Sequence, residues 1–515
     1  MTIPSTLSDR RIRPVTASLF RRQNLIWIAI GLALSFYAYL AAQSGWHNLP
    51  FNSDPQRIEL LDKVQRLSNE GAPYSAVAKD AQEAFPVWNN IMAWIAGTHY
   101  GFGTNGVTEP TRFYATMTAV QKSALSTHMI LGGACIVLGV FQFWPWFRRT
   151  YRRVHRALGV LYILCAFTMV FASMYHLIHT GIENTYQGFT FYIQLWFLVI
   201  STLVTQTLAL YFLAKRNISL HFSFQSYTYA AFLSAPLQRY DWFTFGWFYP
   251  HLSQGEVNNL VNIMGFWECL LMAYLILVWN RAASPLRPKA PEKAATPKGK
   301  QVVISVFAGV GILTAVAQYL LFPGLGSWTA PRAIVPASTI AADALLFDGK
   351  SLQNVIFTLA LVSAMICGTW LMLFDTTSRR VRTTFYVSAI VAGLFQLSWG
   401  WQLGEPNMRV ISGGGFYMLS GLSIIGFTLG AIFLEISGRA NLWEEIMVFA
   451  VNFAFVPVLL LWMHAIWYML NVIPQHYLDV GHGYILAAGG AILFPMFNGF
   501  FGSFTSAETR ARAIY

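Results

Sequence analysis

The feature that most constrains this chain is an apolar run of roughly twenty residues, long enough to cross a bilayer core of about 30 Å, which recurs along its whole length. Twelve such runs can be traced, at 24–42, 123–145, 157–178, 189–213, 222–238, 257–279, 302–322, 352–374, 384–403, 410–434, 446–470 and 483–504. Each run is long and continuous where a barrel strand would be short and alternating, so each reads as an α-helix that satisfies its own backbone in hydrocarbon. Only 11% of the residues are charged and 55% are hydrophobic, which excludes a water-soluble enzyme. The expected fold is an all-α polytopic membrane protein of about twelve transmembrane helices.

Orientation follows from where lysine and arginine collect. Arg10, Arg11, Arg13, Arg21 and Arg22 precede the first run, and Arg148, Arg149, Arg152, Arg153 and Arg156 follow the second. Alternate loops continue the series, so that 24 of the 34 basic residues fall on one side and both termini are expected to be cytoplasmic. The formal net charge of +12 is therefore a topology signal whose counter-charge is anionic lipid, and nucleic acid is not implied. Cys135, Cys165, Cys269 and Cys367 all lie inside apolar runs, where a disulfide framework has no place.

Two breaks organise the chain. Residues 281–300, RAASPLRPKAPEKAATPKGK, form a cytoplasmic linker rich in Pro, Ala and Lys, dividing a six-span half (1–280) from a second six-span half (301–515). No motif repeats between the halves. Residues 43–120 hold an amphipathic stretch, PQRIELLDKVQRLSNEG, expected to form a small helical domain on the outer face and to offer a surface to an extracytoplasmic protein partner.

Histidine is the ionisable type to follow in depth. His155 and His176 share the third span and are 21 residues apart, about 31 Å at 1.5 Å per residue, so they lie at opposite faces. His176 is then level with His128 on the second span, and His155 with His221 on the fifth. Two histidines at one depth on facing helices are what bis-imidazole ligation of haem b requires, and two such layers would make a transmembrane electron path. The alternative for each is an ordinary interfacial histidine bonded at headgroup level.

A second cluster lies in HYLDVGH, where His476, Asp479 and His482 stand at i, i+3 and i+6, with His464 near the outer end of the preceding span. On one helix these would share a face and hold a transition metal at the outer surface. Pro474 and Gly481 make a connecting loop the competing reading. Glu268, in NNLVNIMGFWECLLMAYL, lies mid-span with Asn258, Asn262 and Gly265 at helical spacing. A carboxyl at that depth must be protonated, hydrogen-bonded or paired, so Glu268 is the candidate catalytic acid, as a proton relay or a contact to a quinone or polar solute. A neutral acid bonded between helices is its structural alternative.

The second to sixth spans resemble a family of bacterial polytopic membrane proteins described as predicted membrane proteins of unknown function. The matching residues are His128, Gly132, Gly139, Gln142 and Phe143, then His155, Arg156, Gly159 and Tyr162, then His221 and Arg239, followed by a span bearing Asn258, Asn259 and Asn262. The resemblance covers about residues 120–280 and implies a multi-pass protein of the bacterial cytoplasmic (inner) membrane, with no activity attached. The histidines at helix ends are loosely similar to those of b-type transmembrane cytochromes, which is analogy.

These readings converge on a membrane redox protein, with b-type haem in the first half and a quinol or an extracytoplasmic protein as electron partner. A proton-coupled solute permease with Glu268 as coupling acid is the alternative, and a non-enzymatic subunit or assembly factor is a third.

Overall fold

A computed structural model describes residues 22–49, 55–282, 298–328, 332–374, 378–407 and 410–512, and among them every regular element is helical. Most of the 281–300 linker and Arg10, Arg11, Arg13 and Arg21 lie outside the described residues. The first half comprises α1 (Arg22–His47), α2 (Pro55–Asn69), α3 (Tyr74–Ala84), α4 (Val87–Ala96), α5 (Thr98–Phe102), α6 (Thr108–Thr116), α7 (Ala119–Phe143), α8 (Pro145–Thr150), α9 (Arg152–Thr180), α10 (Gly188–Ala214), α11 (Ile218–Phe232), α12 (Ser234–Phe248) and α13 (Gln254–Ala282). The second comprises α14 (Lys298–Val316), α15 (Ala337–Phe347), α16 (Ser351–Leu373), α17 (Arg379–Leu403), α18 (Gly415–Ile436), α19 (Ala440–Phe453), α20 (Val456–Leu470), α21 (Gln475–Asp479) and α22 (His482–Arg512).

Nine of the described helices are long and apolar enough to cross a membrane, and a tenth crossing follows if α19 and α20, bent by 56° at a short break, count as one. Large apolar side chains such as Leu32, Leu313 and Ile436 point outward from the helices, as a lipid-facing surface requires. Among the described residues, length and composition do not bring the count to twelve. The run 222–238 becomes two fifteen-residue helices that meet at Leu233, and aromatic residues of the second pack against the α2–α6 domain. The run 384–403 lies in α17, whose 25 residues include Arg379, Arg380, Arg382, Gln396 and Gln402 and which packs between α16 and α18.

The ends of these helices are written in local chemistry. Thr118 and Gln121 form a reciprocal capping box at the start of α7, and the Asn217 side chain accepts the Leu220 amide to start α11 after a three-residue break from α10. Gly414 lies where an added Cβ would fall 1.8 Å from the Gly400 carbonyl oxygen, so the glycine run before α18 lets α17 and α18 touch backbone to backbone.

Helices α2 to α6 form a small helical domain at one end of the bundle, and the amphipathic 55–71 stretch supplies its first helix. Leu61, Val64, Ala81, Phe85, Met92 and Phe102 are buried in its core, which Trp242, Leu252, Val257 and Val261 of the bundle complete. The Tyr100 hydroxyl donates to the Trp242 carbonyl at 2.9 Å, tying the domain to α12. The two halves share one core: Tyr227, Ile263, Leu270 and Tyr274 pack with Phe449, Ile485, Ile492 and Phe500. At the opposite end from the α2–α6 domain, Arg281 grips the buried Glu445 carboxylate with two hydrogen bonds of 2.6 and 2.7 Å, and the Tyr274 hydroxyl donates to the same group.

Candidate functional site

Beneath the α2–α6 domain, a cavity of about 380 Å³ opens between α1, α7, α9, α10, α12 and α13, with α6 at its roof. Its walls are mostly apolar, from residues such as Met129, Ile136, Met169, Leu195 and Phe232. Into this surface project a few polar groups, among them Tyr37, Tyr114, His128, His176, Gln194 and Arg239. That mixture, an apolar body with sparse converging polar atoms, is the usual make-up of a small-molecule site.

His128 and His176, on adjacent helices and 48 residues apart in sequence, thus meet at one cavity. The Ser173 hydroxyl donates to the Met169 carbonyl at 2.8 Å, and His128 Nδ1 lies 2.5 Å from the same oxygen. The tautomer of His128 decides which of the two groups donates in this contact. His176 is held only by long 3.4 Å contacts to Thr180 Oγ1, and its ring is 6.3 Å from that of Tyr114. Burial pushes the Tyr114 phenol above its ordinary range, against the pull of the Arg239 charge.

At the arginine-rich end, His221 Nδ1 donates to the Ala209 carbonyl at 2.8 Å, which leaves Nε2 as an acceptor or ligand. The His155 ring lies by the Phe141 carbonyl, and its buried Nδ1 has no hydrogen-bond partner among the described residues. The two rings are close enough to feel each other's charge, with no hydrogen bond between them. His221 therefore offers one lone pair from a ring fixed by a backbone carbonyl, the arrangement in which histidine binds metal.

Glu268 meets the alternative named for it, an acid bonded between helices, on a different side of α13 from the asparagines. Asn262 and Gly265 face the cavity, and Asn258 is bonded to Gln187 and Trp242. Glu268 instead turns toward α12, where its carboxyl meets that of buried Asp241 in hydrogen-bonding contact. Glu268 Oε2 and Asp241 Oδ2 have no donor from another described residue. Two carboxyls bond only if a proton lies between them, so this contact is a place where one is held.

The outer-loop cluster is not gathered. Helix α21 ends at Asp479, Gly481 takes φ +88°, and His482 begins a new helix, so the i, i+3, i+6 register is broken. His482 Nδ1 bonds Thr190 Oγ1 at 2.6 Å, His476 lies 3.7 Å from Glu183, and Asp479 accepts from Gln475. His464 is fully buried, with Nδ1 donating to Leu460 O at 2.7 Å. Among the described residues no three of His, Cys, Asp and Glu are grouped so as to hold a metal ion.

Asp241 and Arg239 are the residues that sequence reasoning passed over as site groups. Both sit in or beside an aromatic stretch that reads as an interfacial belt, and the usable signal was a charge of each sign two residues apart within it.

Residues 125–277 match a family described as "Predicted membrane protein (DUF2306)". The matched stretch takes in most of α7, all of α8 to α12 and most of α13, and so carries most of the cavity wall. Comparisons with curated proteins and with solved structures give no match.

Proposed function

We propose that this multi-pass protein is a redox protein of the bacterial cytoplasmic membrane, carrying electrons through b-type haem to or from a quinol or an extracytoplasmic protein. The observation that carries this reading is that four histidines from distant parts of the first half come together in two pairs at the two ends of α9, with a lone pair free on His221, whose ring is fixed from its other nitrogen, and with His155 Nδ1 buried without a partner among the described residues. Haem, when bound, supplies reversible one-electron chemistry; the protein supplies imidazole ligands and an apolar wall that keeps water away.

The test is an optical spectrum of the purified protein, oxidised and reduced. A Soret band with a reduced α-band is expected, diminished in His221→Ala and in His128→Ala. A colourless protein from haem-replete cells, with no haem in its extract, would overturn the reading.

Twelve crossings with cytoplasmic termini belong to the same proposal, α11 with α12 forming one crossing and α17 another. A reporter after residue 290 should be cytoplasmic and one inserted near residue 75 extracytoplasmic; finding both on one side would refute it. The acid pair Asp241–Glu268 favours a second reading, a proton-coupled permease in which proton occupancy of that contact accompanies solute movement. Pairing with Asp241 rather than with a base distinguishes this reading from a simple ion pair.

A further inference from the structure

Arg239 is the one guanidinium on the cavity wall. Its Nη1 donates to the neighbouring Gln238 side chain at 2.8 Å, and its Cζ lies 5.0 Å from the centroid of the Trp242 ring, one turn along the same helix. Its charge reaches Tyr37, Tyr114 and His128 on three other elements of the site. All are neutral or basic groups. The acid nearest in sequence, Asp241, is two residues on, about 200° around the helix, and is engaged with Glu268. No carboxylate among the described residues pairs with Arg239.

A guanidinium on the wall of a largely apolar cavity, with no carboxylate partner among the described residues, is costly. Its fork of donors fits a carboxylate or phosphate in bidentate fashion. The Tyr37 and Tyr114 hydroxyls add further donors beside it. The cavity is far larger than such a head group alone, and the remaining wall is apolar.

We infer that the cavity binds an amphiphile with an acidic head group, carboxylate or phosphate on a large apolar body, and that Arg239 is its counter-ion. Two sources share this chemistry, the propionates of a haem and the head group of an acidic lipid. The inference rests on the cavity and stands or falls separately from the redox reading.

The full chain in a mild detergent is titrated with a fluorescent long-chain fatty acid and, separately, with its methyl ester. The wild type should prefer the acid by at least about tenfold. Arg239→Gln should erase that preference while leaving ester binding and the melting temperature unchanged, and Arg239→Lys should retain part of it. Equal binding of acid and ester by the wild type, or a preference that survives in Arg239→Gln, overturns the inference.

Solvent extracts of both proteins identify the source. Stoichiometric haem or acidic lipid in the wild-type extract, depleted in Arg239→Gln, supports the proposal with that source named. A colourless protein that prefers the acid ends the redox reading and leaves this one standing. A haem-bearing protein with no acid preference and a spectrum indifferent to Arg239→Gln does the reverse.

Discussion

At the scale of single residues, the Asp241–Glu268 contact shows how far a sequence can speak. The mid-span carboxyl is conspicuous because hydrocarbon tolerates so few, and its inward orientation follows from that cost. Its partner was illegible, because periodicity says which face a residue occupies and nothing about which helix the face meets. The same applies to Arg239, whose aim into a cavity depends on where α12 leans. Glu268→Gln should fold and melt as the wild type does, since its amide can donate to the Asp241 carboxylate as the shared proton does. Glu268→Ala leaves buried Asp241 without that bond and should lose about 1–3 kcal/mol, read as a lower midpoint in thermal or denaturant unfolding. Equal stability of the two variants would show that the contact is not a hydrogen bond.

At the scale of elements, the residues behind the family resemblance acquire a physical role. A Cβ on Gly139 would fall 2.0 Å from the Tyr229 ring, and the Tyr229 hydroxyl donates to the Ile136 carbonyl, so α11 lies directly in the groove that this glycine leaves on α7. Phe143 stacks on Tyr229 at 5.0 Å and meets Phe222 edge-on, while Gln142 Nε2 donates to the His155 carbonyl. The spacing thus encodes a packed seam of α7, α9 and α11 that fixes where His155 and His221 stand. Gly139→Ala should displace Tyr229 and destabilise the protein by about 1–3 kcal/mol, whereas the same change at Gly309, which has open space, should be nearly silent. The comparison is read from folded yield and melting temperature. Span positions were legible from apolar length, which passes over the break at Leu233 and the bend between α19 and α20; the local signal at each is a proline just beyond it, Pro236 and Pro457.

At the scale of the whole molecule, equal span counts on either side of a linker invited a picture of two bodies free to move. The observed core crosses that division, with α13 packed against α22 and Arg281 bound to Glu445. Arg281→Ala leaves a carboxylate that is 1% exposed without its guanidinium, and should cost about 3–5 kcal/mol. Unfolding of that variant in detergent is the measurement, and a change below about 1 kcal/mol would mean the pair does not hold the halves together.

The shared core also bears on how the molecule comes apart. A chain whose halves were separate bodies would melt in two steps, each with its own heat absorption. Here the residues of α13 that would line the boundary already stand at the centre of the second half's packing, so loss of either half exposes the other. Calorimetry should therefore find a single cooperative transition, and a ribosome still making the second half holds a first half whose α13 has bare apolar flanks and must wait for its neighbours.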